Sequence, residues 1–393
     1  IGDLPGGWYY SSVDGLSGDG RVVVGESWGS GPNAIKAIRW TMDEGMQILG
    51  PVNNFIGGVP EDASYDGSVI VGDGTRLNGR GEGWRWTAQT GLVGVGDLPG
   101  GAFKSLASAV SADGSVVVGW SESELSTPSA EAYRWTAAGG MVALGDLPGG
   151  RYISAATDIS ADASVIVGIS STRRGSEAFR WTSETGMVVL GGELPGGVFA
   201  AGAFTISADG QTIVGNLSDD RYTPFRWTEE EGLVALPHPF QGQYTSVFPH
   251  GVSADGSVIV GQVTGPNERA RGFIWDAERG TRDLEEALVN EFGLNLDGWR
   301  LNNGARAISD DGRTIVGSGQ NREGNPEGWV AYLGPPPQPC LADLTGDRTI
   351  DERDLMALLE SFGLDAGGDT DNDADTDLTD LAVLLSNYGM QCP

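Results

Sequence analysis

Three observations predict an all-β fold, a seven-bladed β-propeller of four-stranded repeats. The phrase Ser-x-Asp-Gly/Ala, with a Gly eight positions after the Ser, recurs at Ser17, Ser64, Ser111, Ser160, Ser207, Ser253 and Ser309. A Trp follows each, at Trp40, Trp86, Trp135, Trp181, Trp227, Trp275 and Trp329, which sets a period of about 47 residues and marks a repeat protein. Within one period the apolar pattern is that of short strands separated by turns.

The stretch Ala109 to Gly150 shows the elements of one repeat in order. SADGSVVVG sets an Asp-Gly turn before a β-branched run, the strongest short-range hairpin signal, and so supplies the first two strands. AYRWT alternates, with Tyr133 and Trp135 on one face and Arg134 and Thr136 on the other, as a third strand does. GMVALG reads as the fourth, ended by the Pro and Gly of DLPGG. Four antiparallel strands make a blade, and a ring of blades hides most sheet edges. A β-solenoid has parallel coils, which rarely need an Asp-Gly hairpin at the same place in every repeat. The Asp of each turn and the Arg at positions 39, 85, 134, 180 and 226 read as blade-building parts, because catalysis needs one special constellation rather than many copies.

The phrases ISADGSVVVG, EAFRWT and GMVVLGGELPGG resemble the HAF family of extracellular repeat proteins over residues 1–334. The resemblance implies secretion and a repeated β fold, with no established chemistry. Repeat 6 departs from it: Asp283 to Leu294 reads as a short amphipathic helix with Leu284, Leu288 and Phe292 on one side.

A net charge of −30 and a pI near 4.2 exclude the basic face that nucleic acid needs and disfavour anionic membrane surfaces. No run of 18 apolar residues is present, so no membrane span is expected. The start at Ile1, inside the turn phrase IGDLPGG, is read as a secreted chain that has lost its signal segment. Cys340 and Cys392 bracket the C-terminal segment, and in a secreted chain such a pair is expected to close it with a disulfide.

After a Pro-rich linker at 335–339, residues 340–393 carry 13 acidic and 2 basic residues, a net of −11. DLTGDRTIDERD and DTDNDADTDLTD each fit a twelve-residue calcium loop with oxygen ligands at positions 1, 3, 5, 7, 9 and 12. The first loop offers Asp343, Thr345, Asp347, the Thr349 carbonyl, Asp351 and Asp354. The second offers Asp369, Asp371, Asp373, the Asp375 carbonyl, Asp377 and Asp380. Two Ca2+ ions would hold closed loops whose carboxylates otherwise repel. The first loop departs from the pattern at Thr345 and at Arg348, where a Gly is usual. The Leu-rich stretches LMALLESFG and LAVLLSNYG read as exit helices that need an apolar partner. This duplication, a loop and an exit helix without an entering helix, resembles the type I dockerin domain. It implies calcium-dependent folding and docking to a protein partner. The partner-reading pairs, Glu352-Arg353 and Leu378-Thr379, differ from the Ser-Thr pairs of familiar cohesin binders.

The only histidines, His238 and His250, read as loop residues between repeats 5 and 6. The Trp follows the blade Gly by 12 to 16 positions, and the variable loops between them carry Trp28, Trp84, Trp120, Arg173, Arg174, Arg221 and Tyr222, a candidate face for glycan or protein recognition. Repeat 7 lacks a fourth strand, so either Ile1 to Leu4 closes blade 7 or its edge stays open to a strand from another molecule. The chain therefore reads as a secreted, non-catalytic structural or interaction protein, assembled or attached through its C-terminal module. The competing reading is a carbohydrate-binding or glycoside-hydrolysing propeller. An acidic pair near the central cleft, present in only one or two blades, would favour hydrolysis.

Overall fold

The computed structural model describes residues 1–30, 35–50, 55, 58–126, 128–219, 222–238, 246–265, 268–334, 344–345, 349–362, 376–386 and 388. The chain divides into two compact units, Ile1–Pro335 and Pro336–Pro393.

The first unit is a seven-bladed β-propeller of antiparallel sheets, each with its strands in chain order from the central channel outward. Blade 3 is typical, with strands Gly100–Val110, Val116–Ser123, Glu131–Thr136 and Gly140–Gly145. The repeated turn explains itself chemically. Ser111 Oγ donates to Asp113 Oδ1 at 2.7 Å and accepts from Val116 N at 3.0 Å, while Asp113 Oδ1 accepts from Ser115 N at 2.9 Å. A buried hydroxyl and one carboxylate oxygen thus satisfy the turn's donors, as an Asx-type turn should. In blade 4 Ala163 holds the left-handed conformation, φ 59°, that a Gly takes in the other six turns.

The Gly eight positions after each Ser is required by close packing. A Cβ on Gly168 would strike the carbonyl of Ala155 on the inner strand and come within 2.8 Å of the Phe179 ring on the third strand. Phe179 has counterparts in Ile38, Trp84, Tyr133, Phe225, Phe273 and Trp329, all buried. Trp329 therefore does not continue the series of Trp40 and Trp86. It pairs with Gly317, as Trp84 pairs with Gly72, and Ala331 stands where the seventh Trp was expected. Residues two apart on a strand share a face, so a Trp shifted by two fills the neighbouring slot on the same face.

A circle of backbone bonds joins the blades. The residue after the turn Ser, or the one following it, donates to the next blade: Tyr65 N to Ala112 O, Ala112 N to Ala161 O, Ala161 N to Ala208 O, and Asp209 N to Ala254 O. Ala254 N then donates to Asp310 O, and Asp310 N donates to Gly18 O at 2.9 Å, which carries the circle from blade 7 to blade 1. Blade 7 has three strands, Ala305–Ile308, Thr314–Gln320 and Pro326–Tyr332. Residues 1–4 add no fourth strand, although Ile1 N donates to Gly328 O at 2.9 Å, as Val95 N does to Gly83 O in blade 2. Among the described residues the outer edge of Pro326–Tyr332 is unpaired by any further strand.

Helix α1 (Leu284–Asn290) occupies part of the predicted helical stretch and is capped by the Asp283 carboxylate, which accepts from Glu286 N. Its Leu284 and Leu288 join a core with Leu301, Ile315 and Trp329. Phe292 lies beyond the helix, partly buried against that core. In the second unit α2 (Glu352–Ser361) and α3 (Leu378–Ser386) pack around Ile350, Leu358 and Leu384. Among the described residues no helix is long and apolar enough to cross a membrane.

Candidate functional site

All seven inner strands, from Ser11–Leu16 to Ala305–Ile308, carry a β-bulge at the same place in the repeat. The residue three before the turn Ser is left out of the pairing: Asp14, Glu61, Ser108, Thr157, Phe204, His250 and Arg306. A bulge of this kind aims one side chain away from the sheet. All seven residues line a central cavity of about 220 Å³.

Four of these residues, consecutive around the circle, are charged or titratable: His250, Arg306, Asp14 and Glu61. His250 Nε2 and Asp14 Oδ2 are shielded from solvent without a hydrogen-bond partner. Burial raises Asp14 to about 6 against the pull of Arg306. It raises Glu61 to about 8, helped by Asp14, Asp73, Asp62 and Glu26. Glu26 is likewise pushed up to about 7 by burial and by Asp14 and Asp73. Burial and the nearby Arg306 lower His250 to about 4, so it is neutral at pH 7. The remaining arc is uncharged, Ser108, Thr157 and Phe204. Two further carboxylates beside the cavity are structural. Asp62 Oδ2 accepts from Val110 N and Asp158 Oδ2 from Ile206 N, each tying its blade to the next.

His250 thus corrects the loop reading: it stands on the inner strand Ser246–Val252, facing the channel. No periodicity marks a bulge. The signal that was available is the residue three before each Ser, which differs in every repeat.

The predicted loop face is only partly assembled. Trp84 is 0 % exposed and fills the slot over Gly72, so it is a core residue and not part of a face; in GWRWT the first Trp is the fully buried one and the second is partly buried. Trp28 is half-buried and meets Trp8 edge-on at 5.6 Å, and Trp8 itself is 76 % exposed. Trp120 is covered by Lys104 at 5.2 Å from its ring. Arg174 lies over Phe199 at 4.0 Å and pairs with Glu193, while Arg173 is exposed. Tyr222 is exposed and faces Phe248 at 6.3 Å. Arg221 lies outside the described residues.

In the second unit Asp354 and Asp380, the last ligand positions of the two loops, are both fully buried at 0 % exposure. Asp354 Oδ1 accepts from Thr345 N and Thr345 Oγ1, and its Oδ2 accepts from Asp351 N at 2.8 Å. Asp380 Oδ2 accepts from Asp377 N at 2.7 Å, the same bond in the second loop. Thr349, Asp351 and Asp377 precede these residues at their predicted positions. Asp343, Asp347, Asp369, Asp371, Asp373 and Asp375 lie outside the described residues, as do Cys340 and Cys392. Among the described residues no group of three or more His, Cys, Asp or Glu is gathered as a metal site.

No protein-family model and no curated protein matches the chain. Solved structures do resemble it. The β-propeller domain of the Trilobed protease from Pyrococcus furiosus, described as having an open velcro topology, is 11 % identical with a TM-score of 0.52, over 85 % of this chain and 98 % of that one. Puromycin hydrolase is 14 % identical with a TM-score of 0.51, over 85 % of this chain and 55 % of that chain. Putative TolB from Agrobacterium tumefaciens is 15 % identical with a TM-score of 0.43, over 73 % of this chain and 93 % of that chain. At these identities the likeness to the first two establishes one thing, the β-propeller fold.

Proposed function

We propose that the chain is a secreted, non-catalytic interaction protein of the HAF-repeat type. Its propeller is a scaffold or recognition body, and its dockerin-like C-terminal unit folds around two Ca2+ ions to attach it to a protein partner or to another copy. One observation carries this reading: the matched burial of Asp354 and Asp380, each at the start of an exit helix and each bonded to the backbone three residues earlier. Two buried carboxylates in a segment of net charge −11 are costly without a cation. The twelve loop residues named above would supply hard oxygen ligands of the kind Ca2+ takes. The disulfide between Cys340 and Cys392 would fasten the same unit. The unpaired outer edge of blade 7 is a second place for self-association by strand addition. Light scattering and negative-stain microscopy of the full chain, with Ca2+ and then with chelator, test the proposal. Large species that dissolve on chelation support assembly, and a monomer whose C-terminal helices ignore both treatments removes it.

The second reading, a carbohydrate-active propeller, has one specific observation in its favour. Asp14 and Glu61 are an acidic pair at the central channel found in blades 1 and 2 only. Their split protonation, Glu61 at about 8 and Asp14 at about 6, is the kind that acid and base roles require. Release of reducing sugar from a glycan panel, abolished in Glu61→Gln, would replace the first reading with this one.

A further inference from the structure

We infer that the central channel binds a free α-amino acid, its ammonium group against Glu61 and Asp14, its carboxylate against Arg306 and His250, and its side chain toward Phe204. The inference is independent of the calcium-dependent attachment proposed above.

The repeats themselves supply the first argument. Seven copies keep the turn Ser, the Asp two residues later and the Gly eight residues later, because each holds a blade together. The bulge residue, three positions before the first of these fixed points, is different in all seven copies: Asp14, Glu61, Ser108, Thr157, Phe204, His250 and Arg306. A residue serving only the body of the blade could have been repeated, as the others are. Of the repeat positions that line the channel, this is the one that holds a different residue in every blade.

The order of these residues supplies the second. Blades 1 and 2 bring the acids, and blades 6 and 7 bring the imidazole and the guanidinium, so acid and base sectors are neighbours on one arc. An α-amino acid carries its two opposite charges on groups bonded to one carbon, in the same adjacency. On the opposite arc the bulge residues Ser108, Thr157 and Phe204 are uncharged, the Asp158 carboxylate there being held by Ile206 N, and Phe204 suits an apolar side chain. Asp14 and Arg306 adjoin without forming an ion pair within 4.0 Å, and His250 Nε2 and Asp14 Oδ2 have no partner. Buried polar atoms without partners are rare and call for an explanation, and a ligand that pairs with both provides one. The cavity, about 220 Å³, is smaller than the roughly 300 Å³ at which pockets for drug-sized molecules begin. It suits a single small molecule.

Calorimetric titration of the full chain with L-phenylalanine and L-leucine, alongside phenethylamine and 3-phenylpropionate, tests the inference. One-to-one binding of an amino acid, at least tenfold tighter than either singly charged analogue, is expected. Glu61→Gln and Arg306→Gln should each weaken it at least tenfold. A measurement on the unmodified protein guards against variants that fail to fold. An ammonium seated on Glu61 favours its ionised form, so binding at pH 7 should release up to about one proton, read from titrations in buffers of different ionisation enthalpy. Failure of both amino acids to bind, equal affinity for a singly charged analogue, binding without proton release, or wild-type binding in both folded variants would each overturn the inference.

Discussion

Between blades 4 and 5 eleven buried apolar side chains, from Val165 to Leu233, make one continuous cluster. Among the described residues the C-terminal unit buries three in its core cluster, Ile350, Leu358 and Leu384. A small unit with so little apolar burial generally needs a staple such as a metal or a disulfide. The propeller, whose blades are locked by a circle of backbone bonds, needs none. The difference teaches where to look for outside support: the proposed Ca2+ and disulfide would matter to the C-terminal unit and not to the propeller.

Chelation is the largest test of this contrast. Removing Ca2+ should abolish the far-ultraviolet signal of α2 and α3 while the propeller's melting temperature stays fixed. Restoring the ion at a thousandfold excess over its Kd should return about 4 kcal/mol to the C-terminal unit, measured by denaturant titration. A common response of both units would erase the distinction. Within the propeller, Gly168→Ala should cost about 3 kcal/mol, since its Cβ meets both a carbonyl and the Phe179 ring. Gly186→Ala in the same blade has open space and only a positive φ to strain it, so it should cost about 1 kcal/mol. Equal costs, read by urea unfolding, would show that packing is not what demands the blade Gly.

The two units should also answer pH in opposite directions. In the folded propeller Glu61, Glu26 and Asp14 hold protons up to about 8, 7 and 6, whereas the unfolded chain releases them near its ordinary values of 4.5 and 3.8. At these three groups the folded state binds more protons, so their contribution to propeller stability is full below pH 4 and falls as pH rises toward 8. Each group loses about 1.4 kcal/mol for every tenfold by which folding tightens its hold on the proton. Glu61→Gln should flatten the fall in melting temperature between pH 5 and 8. Asp351, held below its usual range by the Arg353 N–H, and the carboxylates that would bind Ca2+ act the other way. Their contribution is present above pH 4 and lost as pH drops.

A finer comparison lies within a single strand. Ser111→Ala removes a buried hydroxyl that donates to Asp113 and accepts from Val116 N, and should cost about 1–3 kcal/mol. Ser108→Ala, three residues earlier at the bulge, should stay within about 0.5 kcal/mol by thermal unfolding. One change of similar size is a gain: Ala163→Gly relieves the left-handed backbone of blade 4 by about 1 kcal/mol.

The propeller is legible in the sequence because turn chemistry and period are local. Ser, Asp and Gly must recur where the hairpins recur, and the alternation in AYRWT fixes which residues share a face. Trp84 and Trp329 show where that ends. Alternation says that residues two apart face together, but it does not say which fills the deep slot over the blade Gly. The channel is invisible for a related reason. A bulge breaks the two-residue period at one point, so no period search can register it, and His250 therefore reads as a loop residue. In the C-terminal unit the spacing of acids carries the whole expectation, since ligand positions 1, 3, 5, 7, 9 and 12 are a sequence property. The burial of Asp354 and Asp380 is a tertiary one.

Because the bulge residue takes no part in the ladder, its identity is free to change without disturbing a single strand pairing. A blade can be copied whole to enlarge the body, and one letter per copy can then be rewritten to alter the cargo. Around the circle, this chain spells D, E, S, T, F, H, R. A protein engineer could retype that seven-letter word one position at a time, using the same body as a blank receptor.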